Sequence, residues 1–404
     1  MNETAEVERS LGSGAYTQRG ISLVRGEGVY VWDDTGRKYL DCITGHGAAI
    51  LGHAHPAIQE SVSEQSRTLV TCPGAFANDK RAEFLTELTG VMSRNTDGDY
   101  GNVFLCNSGT EAVEAAIKIA RYQTGKPGIV AVRNGFHGRT MGALSLTWSK
   151  KYREPFQPLI PGVRHIPIDD LQAAEEAISG ETGAVVVEPI QGEGGVIEMS
   201  NEFLSGLSDL CDAAGARLIF DEVQTGFGRT GDWFAFHATP ITPDIVALAK
   251  GIAGGIPMGA AVMRSGIQQL SSGAHGSTFG GNPLACAAGL ALLRTIRENG
   301  LVRRSRELGD FAREYLEEHL ADSDMVRQIR GRGLMIGIQL RRRVTPVLKA
   351  LMEQGILAMP AGSTVLRLLP PLIIGKTELK KVLESIESIL TETPVVRSGN
   401  GGNA

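Results

Sequence analysis

The sequence predicts an α/β fold in which a large domain with a mainly parallel sheet carries a smaller α+β domain. From about residue 100, short apolar runs alternate with longer amphipathic segments, the pattern of strand–helix–strand units. The chain of 404 residues is long enough for one large domain and a smaller one. Its 51 glycines indicate many tight turns and close backbone approaches between short strands.

Composition excludes several classes of protein. The formal net charge of −5 gives no overall basic field for nucleic acid. No apolar run approaches the roughly 20 residues of a membrane span, and the first ten residues lack the apolar core of a signal peptide. The five cysteines are odd in number and scattered, which predicts buried thiols, not a disulfide framework. We therefore expect a cytoplasmic protein with neither a nucleic-acid nor a membrane partner.

The first hundred residues predict an arm, a hairpin and two helices. Residues 1–20 are polar and weakly patterned, as in an arm. Strands at 28–32 and 38–41 flank a turn at residues 34–36. Pro56 stands where a first-turn proline begins a helix, and residues 78–92 have helical periodicity. His53 and His55 lack a carboxylate or thiol at metal-ligand spacing, so we expect no metal site.

The first chemical signal of the parallel part is a turn after the strand predicted at 102–106. Residues 107–111 read NSGTE and open an amphipathic helix. A small, glycine-containing turn at a helix start presents free amides and the positive end of the helix dipole, which suits a phosphate. Helix capping by Ser108 or Thr110 explains the same residues equally well.

Two further loops follow predicted strands and carry polar or aromatic side chains. After the strand at 128–132, Phe136 could stack on a flat ring and Arg139 could bind a carboxylate, or the two could be a packed aromatic and a surface arginine. After the strand at 184–187, acidic residues lie on the glycine-rich loop 188–195, where α/β sheets bind ligands.

A literal G-x-G-x-x-G stands at residues 226–231, after the strand predicted at 217–221. A dinucleotide-binding fingerprint opens directly into an apolar helix and has an acid about 20 residues further on. Here two prolines and no helical period follow, so we do not expect dinucleotide binding.

The central signal is Lys250, which ends the apolar run 245–249 and precedes a glycine-rich segment. Burial of a lysine disfavours its charged form and lowers its pKa, as a carbonyl-attacking amine requires. The alternative is a strand-end lysine that extends to solvent. Asp221 ends an earlier apolar run in the same way. A Schiff-base lysine with an aspartate facing a pyridinium nitrogen is what pyridoxal phosphate chemistry requires.

The rest of the chain predicts a second domain. A strand at 258–263 precedes a polar loop at 275–282, in which Thr278 offers a hydroxyl to a phosphate. The remaining predicted elements are helices at 283–298, 302–320, 345–353 and 376–390, with strands at 333–340 and 365–368. We predict an arm and small-domain contribution at 1–60, a large domain at 61–282, a small domain at 283–392 and a disordered tail at 393–404.

Seven motifs, in order, resemble those of class III (fold-type I) pyridoxal-phosphate aminotransferases over about residues 12–390. They read NSGTEA, NGFHGRT, EPIQGEGG, IFDEVQTGFGRTG, ALAKGIAGG, HGSTFGGNPLA and LRLLPPLII. The acetylornithine branch is the most similar. LTWSKKYREPFQPL and AGSTVLRLLPPLII are similar to a sub-branch whose substrates are lysine or ornithine precursors on a small acidic amino-group carrier protein.

The resemblance implies a role for each matching residue. Lys250 would be the Schiff-base lysine and later the base that moves the proton, and Asp221 would keep the pyridine nitrogen protonated. The other implied cofactor contacts are the ring faces (Val223, Phe136), the phenolic oxygen (Gln224), the residue beside Asp221 (Glu222) and the phosphate (Gly109, Thr110 and, from the neighbouring subunit, Thr278). The implied substrate residues are the carboxylate-binding Arg139, Ser277, and a switching pair in which an arginine is masked or freed (Glu193, Arg367).

The sequence therefore predicts a homodimeric, ping-pong aminotransferase of lysine or arginine biosynthesis with pyridoxal 5'-phosphate as cofactor. Glutamate and 2-oxoglutarate would be one substrate pair. The other would be a carrier-linked lysine or ornithine precursor, or N-acetylornithine. The alternatives are a 4-aminobutyrate or ornithine aminotransferase and, with a cofactor-free pocket, a non-enzymatic α/β binding module. Basic clusters at 150–153 and 341–343 are candidates for contact with an acidic carrier, or are ordinary solvated surface.

Overall fold

The computed structural model describes residues 3–94, 96 and 98–392, so the tail predicted at 393–404 lies outside the described residues. Within them the helices are α1 (Glu3–Leu11), α2 (Thr44–Gly47), α3 (Pro56–Ser66), α4 (Asp79–Met92), α5 (Gly109–Thr124), α6 (Met141–Leu146), α7 (Lys150–Arg153), α8 (Leu171–Ala177), α9 (Asn201–Ala214), α10 (Pro283–Glu298), α11 (Leu301–Leu320), α12 (Thr345–Glu353) and α13 (Lys376–Glu392). Short 3-10 helices lie at Glu154–Phe156, Ala235–Ala238 and Lys250–Ala253.

The strands form one large sheet and three smaller ones. In chain order they are β1 (Leu23–Glu27), β2 (Tyr30–Asp33), β3 (Lys38–Asp41), β4 (Tyr100–Cys106), β5 (Gly128–Val132), β6 (Val163–Ile166), β7 (Thr182–Val187), β8 (Ile190–Gln191), β9 (Ile197–Glu198), β10 (Arg217–Asp221), β11 (Ile245–Leu248), β12 (Gly259–Arg264), β13 (Val326–Arg332), β14 (Met335–Leu340), β15 (Ile356–Leu357), β16 (Met359–Ala361) and β17 (Val365–Leu368).

The large sheet has the order β4-β12-β11-β10-β7-β5-β6. Only β12 runs antiparallel to its neighbours, which confirms the prediction of a mainly parallel sheet. Every residue of β7 and β11 is buried. Strands covered on both faces need continuous apolar runs, and this is why the sequence of these strands does not alternate. The parallel arrangement brings the carboxyl ends of β10 and β11 side by side, with Asp221 opposite Ala247.

The smaller sheets combine both ends of the chain. The sheet β1-β2-β3-β15 joins the N-terminal hairpin to residues 356–357, because β15 pairs in parallel with β3. The sheet β13-β14-β17-β16 carries the last strands. Helix α10 packs against α3 and α4, so the boundary predicted between residues 282 and 283 divides a packed group of helices.

Two predicted elements differ from the structure. The polar arm contains the helix α1, which its weak pattern does not predict. The single strand expected at 333–340 is the second half of a hairpin, because Gly333 has φ +54° and turns the chain between β13 and β14.

All five cysteines are free, and all but Cys72 are buried. Among the described residues, no helix combines the length and apolar character needed to cross a membrane.

The glycine-rich loop 226–231 packs the two parts of the chain together. Arg229 is 1% exposed, and its guanidinium donates to the carbonyl oxygens of Leu334 and Pro370. A Cβ on Gly309 of α11 would lie 2.2 Å from the carbonyl oxygen of Gly333. The loop is therefore a packing turn, and α11 lies directly against backbone atoms.

Substitution of Gly309 tests this close packing. Gly309→Ala forces a methyl group into backbone atoms that cannot move aside, so we expect the free energy of unfolding to fall by about 1–3 kcal/mol. Gly90→Ala is the matched control, because Gly90 lies in α4 and a Cβ there would have no atom within 4 Å. That variant should be more stable by about 0.5–1 kcal/mol. Urea unfolding measures both, and equal effects would contradict the packing argument.

Candidate active site

A cavity of about 450 Å³ opens at the carboxyl ends of the parallel strands, where α/β sheets bind ligands. It joins the ends of β4, β5, β7, β10 and β11 to the segment before β12. The residues lining it are Ala48, Asn107, Ser108, Gly109, Thr110, Phe136, His137, Gly138, Arg139, Glu188, Glu193, Asp221, Val223, Gln224, Ala249, Lys250, Gly255, Ile256, Pro257 and Met258.

Lys250 reaches this cavity from a strained position. It follows β11 with φ +42°, a left-handed conformation that costs a residue with a Cβ roughly 1–3 kcal/mol. Burial lowers the pKa of its amine to about 8, with Arg367 acting in the same direction against the charges of Glu193 and Asp221. Its Nζ forms no salt bridge with the described residues. The amine is thus available to react near neutral pH.

Asp221 lies at the end of the neighbouring strand and is 4% exposed. Its Oδ1 accepts from the backbone N–H of Val223 at 3.1 Å. Its Oδ2 lies 2.8 Å from Nδ1 of His137, which is buried as well. The carboxylate is therefore fixed in position and directed along one wall of the cavity.

His137 and Glu188 form a buried group behind Asp221. Burial pulls the pKa of His137 down, but the hydrogen bond and charge of Asp221, together with Glu188, raise it above its ordinary value. Burial raises the pKa of Glu188 to about 7. Its two oxygens accept from the backbone N–H groups of Phe136 and Gly192 at 2.9 and 3.0 Å. A protonated His137 would support a negative Asp221.

Sequence reasoning did not single out His137. Its partner is 84 residues away, and neither spacing nor periodicity connects the two. The only available signal was its position in the loop 134–140 between the two residues that were chosen, Phe136 and Arg139. Both of these line the cavity, as does Val223.

The start of α5 both caps itself and presents free amides. Ser108 accepts from the N–H of Glu111, and the Glu111 carboxylate accepts from the N–H of Asn107 at 2.9 Å and from the Ser108 hydroxyl. The capping alternative is therefore correct for Ser108. It leaves the N–H groups of Gly109 and Thr110 without an acceptor among the described residues, at the positive end of a helix. These amides can hold an anion.

Gly109 also sets how closely α5 approaches the opposite wall. A Cβ at this position would lie 2.7 Å from Cγ1 of Val223, so no larger residue fits. The glycine seen in the motif is required by this contact.

Arg139 lies at the mouth of the cavity and is exposed. Its Cζ is 3.5 Å from the ring centroid of Tyr152 and 5.4 Å from that of Phe136. Stacking on Tyr152 holds the guanidinium plane while its N–H groups stay free to bind a carboxylate. Tyr152 was not predicted as a site residue: it lies on α7 within the basic cluster at 150–153, and only the folded structure stacks it on Arg139.

Glu193 and Arg367 form an ion pair beside Lys250. Arg367 has no exposed surface, and its second Nη donates to Oε1 of Gln224 at 2.8 Å. Burial alone would raise the pKa of Glu193, but Arg367 and Lys250 outweigh it and hold the pKa below its ordinary value. The arginine is covered in this state, and its exposure requires Glu193 to move.

Four predicted residues do not line the cavity: Arg367, which is covered behind Glu193, and also Glu222, Ser277 and Thr278. Glu222 is fully buried, and its carboxylate accepts from the N–H groups of Ala235 and Phe236 at 2.9 and 2.8 Å. Its assignment as a cofactor contact is therefore not supported, because both oxygens are occupied in folding the following loop. Ser277 accepts from Nδ2 of Asn107 at 3.1 Å, next to the cavity. Thr278 is exposed and does not line the cavity of its own chain.

These residues fit pyridoxal phosphate. The cavity volume lies in the usual range for small ligands, about 300–1,000 Å³. It combines an unpaired amine at Lys250, a buried carboxylate at Asp221 and free amides at the start of α5. These match an aldehyde, a pyridine nitrogen and a phosphate. Among the described residues, no group of three or more histidine, cysteine or acidic side chains is arranged to hold a metal ion.

The chain matches the aminotransferase class-III family over residues 13–390. A LysW-aminoadipate semialdehyde transaminase from Deinococcus radiodurans is 43% identical over 95% of this chain and 89% of its own. An acetylornithine aminotransferase from Methanopyrus kandleri is 45% identical over 93% of this chain and 95% of its own.

Solved structures agree with this result. The acetylornithine aminotransferase from Elizabethkingia anophelis has a TM-score of 0.85 and 36% identity, covering 96% of this chain and 98% of its own. An ornithine aminotransferase from Toxoplasma gondii ME49 has a TM-score of 0.91 and 32% identity, covering 96% and 94%. These likenesses decide against a non-enzymatic binding module. The cavity, its lysine and the matched relatives lead to one conclusion: the chain belongs to the class-III aminotransferase family.

Proposed function

We propose that this enzyme uses pyridoxal phosphate to move a terminal amine between glutamate and a semialdehyde carried on a small acidic protein, in lysine or arginine biosynthesis. The observation that carries the aminotransferase chemistry is the pair formed by Lys250 and Asp221, on adjacent strand ends of one cavity. The substrate follows from the relatives, among them the enzyme from Deinococcus radiodurans named for LysW-aminoadipate semialdehyde.

Each residue of the cavity has a defined task in this proposal. The cofactor, when bound, supplies an electron sink that stabilises the carbanion formed beside the amine. Lys250 would hold it covalently and, once released, would take the proton from the amine-bearing carbon of the substrate and deliver it to the aldehyde carbon of the cofactor. Asp221, fixed by His137, would keep a proton on the ring nitrogen. The amides of Gly109 and Thr110 would bind the phosphate.

The Glu193–Arg367 pair would let one cavity accept two different substrates. A substrate without a second carboxylate would find the arginine neutralised by Glu193. Glutamate would displace Glu193 and bind Arg367 with the carboxylate on its amine-bearing carbon, because Arg367 lies beside Lys250, where that carbon would react. Because breaking a buried ion pair costs several kcal/mol, roughly 3–5, the new carboxylate has to replace the old one directly.

N-acetylornithine is the second candidate substrate. It presents the same terminal amine, and Arg139 at the cavity mouth could bind its carboxylate. The 45% identity to the acetylornithine aminotransferase of Methanopyrus kandleri favours it as much as the carrier-linked substrate. Free ornithine and 4-aminobutyrate remain as alternatives with the same terminal amine.

The basic residues of α7 lie next to this mouth. Tyr152, which stacks on Arg139, is flanked by Lys151 and Arg153, and Lys150 and Lys151 are exposed. The second basic cluster, at 341–343, follows β14 and is exposed as well, but among the described residues no hydrogen bond or ion pair joins it to a residue lining the cavity. An acidic carrier would therefore meet α7 as its substrate enters.

A homodimer completes the proposal. Arg81 donates to the carbonyl oxygens of Cys72, Phe76 and Gly281, which joins two surface segments beside Thr278. These segments expose the large apolar side chains Phe76 (66%) and Phe279 (59%). A second copy of the chain would cover this surface and place its Thr278 at the neighbouring phosphate.

Loss of the covalent link tests the role of Lys250. Borohydride reduction of the cofactor-loaded protein should add the cofactor mass to the peptide containing Lys250. The rate of attachment should rise with pH and level off above about 8, because only the unprotonated amine attacks. Lys250→Ala should show no attached mass and no turnover, while Lys349→Ala, at an exposed site, should match the parent. Attachment at another lysine in the parent would refute the assignment.

Mixed dimers test the role of Thr278. Thr278→Ala removes a hydroxyl bond to a charged group, so cofactor affinity should fall by about tenfold or more. Thr278→Ser should retain it. Mixing Thr278→Ala with Lys250→Ala by unfolding and refolding should restore the parent affinity and activity at roughly a quarter of the sites, because such a hybrid has one site with both residues. No restoration would mean that Thr278 serves its own chain or none.

Salt dependence tests the carrier. Raising the salt from about 0.01 M to about 1 M shortens the screening length from about 30 Å to about 3 Å. We expect kcat/KM for the carrier-linked substrate to fall by about tenfold or more, and that for free N-acetylornithine to change little.

Matched substitutions distinguish the two basic clusters. Lys150→Ser with Lys151→Ser should reproduce the high-salt loss for the carrier-linked substrate alone. Arg342→Ser with Arg343→Ser removes the same charge at the distant cluster and should leave both substrates unaffected. Equal losses in both double variants would mean that only the total charge matters. No turnover of the carrier-linked substrate would leave N-acetylornithine as the substrate.

A further inference from the structure

The loop that carries Arg139 lies unusually close to α5. A Cβ on Gly138, which has φ +133°, would lie 2.3 Å from the hydroxyl oxygen of Thr110. A Cβ on Gly142 would lie 2.2 Å from Oε2 of Glu114. Any larger residue at either position would separate the loop from the helix. The two glycines therefore allow direct contact between the backbone of this loop and side chains of α5.

Glu114 is the side chain that holds the far end of this loop. Its Oε1 accepts from the backbone N–H groups of Gly142 and Ala143 at 2.8 and 3.0 Å and from the hydroxyl of Thr140. Gly142 and Ala143 lie in the first turn of α6, and Thr140, at the capping position, makes no capping bond with its own side chain. A carboxylate from another helix thus supplies the cap, where negative charge is favoured.

The direction of each hydrogen bond follows from Glu114. An ionised carboxylate only accepts, so Thr140 donates its hydroxyl hydrogen to Glu114. The Oγ1 of Thr140 must then accept from the hydroxyl of Thr110, 2.7 Å away. The N–H of Thr140 donates back to Oγ1 of Thr110 at 3.2 Å. Three side chains form one ordered hydrogen-bond chain, called here the Thr110–Thr140–Glu114 chain.

The Thr110–Thr140–Glu114 chain connects the anion-binding start of α5 to the loop that carries Arg139. Thr110 contributes a free backbone N–H to the anion-binding start of α5, and its hydroxyl hydrogen is already used. Arg139 lies between Gly138, packed on Thr110, and Thr140, bonded to Thr110 and Glu114. Its backbone is therefore held on both sides before the side chain reaches Tyr152.

We propose that Glu114 is a positioning residue that, through Thr140, couples the anion-binding start of α5 to the carboxylate-binding orientation of Arg139. The inference rests on the proposed function for the role of Arg139. An anion bound to the amides of Gly109 and Thr110 would fix the position of Thr110. Thr110 would then fix Thr140 through the hydrogen bonds between them, and the backbone of Arg139, which precedes Thr140, would be held in place. Carboxylate recognition is thus complete only when the phosphate site is filled.

The kinetic test compares two amines that differ by one carboxylate. N-acetylputrescine is N-acetylornithine without its carboxylate. In Thr140→Val and Glu114→Ala, KM for N-acetylornithine should rise roughly 10- to 100-fold with kcat little changed, because a displaced binding group weakens substrate positioning. The kcat/KM for N-acetylputrescine should stay at the parent value. Thr140→Ser restores the hydroxyl and should restore KM.

The control variant removes a threonine hydroxyl on a helix that, among the described residues, makes no hydrogen bond to the loop carrying Arg139. Thr86 lies on the exposed side of α4, and its hydroxyl donates only to the carbonyl of Ala82. Thr86→Val should match the parent for both amines. If Thr140→Val and Glu114→Ala alter both amines equally, or neither, the coupling to Arg139 is refuted.

A second measurement reads the coupling without turnover. Hydrogen exchange is followed in the full chain, free of cofactor, with and without saturating inorganic phosphate. In the parent and in Thr86→Val, phosphate should slow exchange in residues 108–114 and 138–146. In Thr140→Val and Glu114→Ala it should slow only the first segment. Equal protection of 138–146 in all four proteins overturns the proposal.

The two tests separate the inference from the proposed function. If the parent transfers no amine from either compound, the proposed function has failed, while hydrogen exchange still decides whether the Thr110–Thr140–Glu114 chain couples the two segments. If phosphate binds but residues 138–146 do not respond in the parent, the coupling fails and the aminotransferase proposal is unaffected.

Discussion

The cavity depends on keeping the amine of Lys250 buried and ready to lose its proton. Burial favours the neutral amine, but Glu193 and Asp221 are negative and favour the charged form. Arg367 offsets part of this effect by pairing with Glu193. Because Arg367 is itself buried, it requires both Glu193 and Gln224 as acceptors. Arg367 and its acceptors therefore serve to keep the pKa of the Lys250 amine low despite the two nearby carboxylates.

The other buried polar groups around the site are also each paired with a hydrogen-bond partner. Asp221 is supported by His137, and Glu188 by two backbone amides. A buried carboxylate without such partners would be neutral or would destabilise the fold. The buried guanidinium of Arg229 instead uses backbone carbonyls to hold the residues after β17 against the large sheet. Since β17 carries Arg367, the packing between the two parts of the chain also fixes the geometry beside Lys250.

Much of the fold could be predicted because its local signals agree. The fully buried strands β7 and β11 read as continuous apolar runs, and α4, α10 and α12 begin and end within a residue of their predicted bounds. The site was predicted where a motif holds the residue, as for Lys250 and Asp221. Glu222 was predicted as a cofactor contact, but its carboxylate accepts from the backbone N–H groups of Ala235 and Phe236 and does not line the cavity. Its carboxylate is directed into the fold when that of Asp221 faces the cavity.

The sequence by itself determined the fold class, the order of the elements and the family, because apolar periodicity, turn residues and motifs are local in the chain. The tertiary structure decided which distant side chains meet. His137 meets Asp221 across 84 residues, and Arg367 meets Glu193 across 174. It also decided that Glu114 caps α6 and that Tyr152 supports Arg139. Such contacts depend on how strands and helices pack against one another, and no pattern within either segment records the identity of its partner.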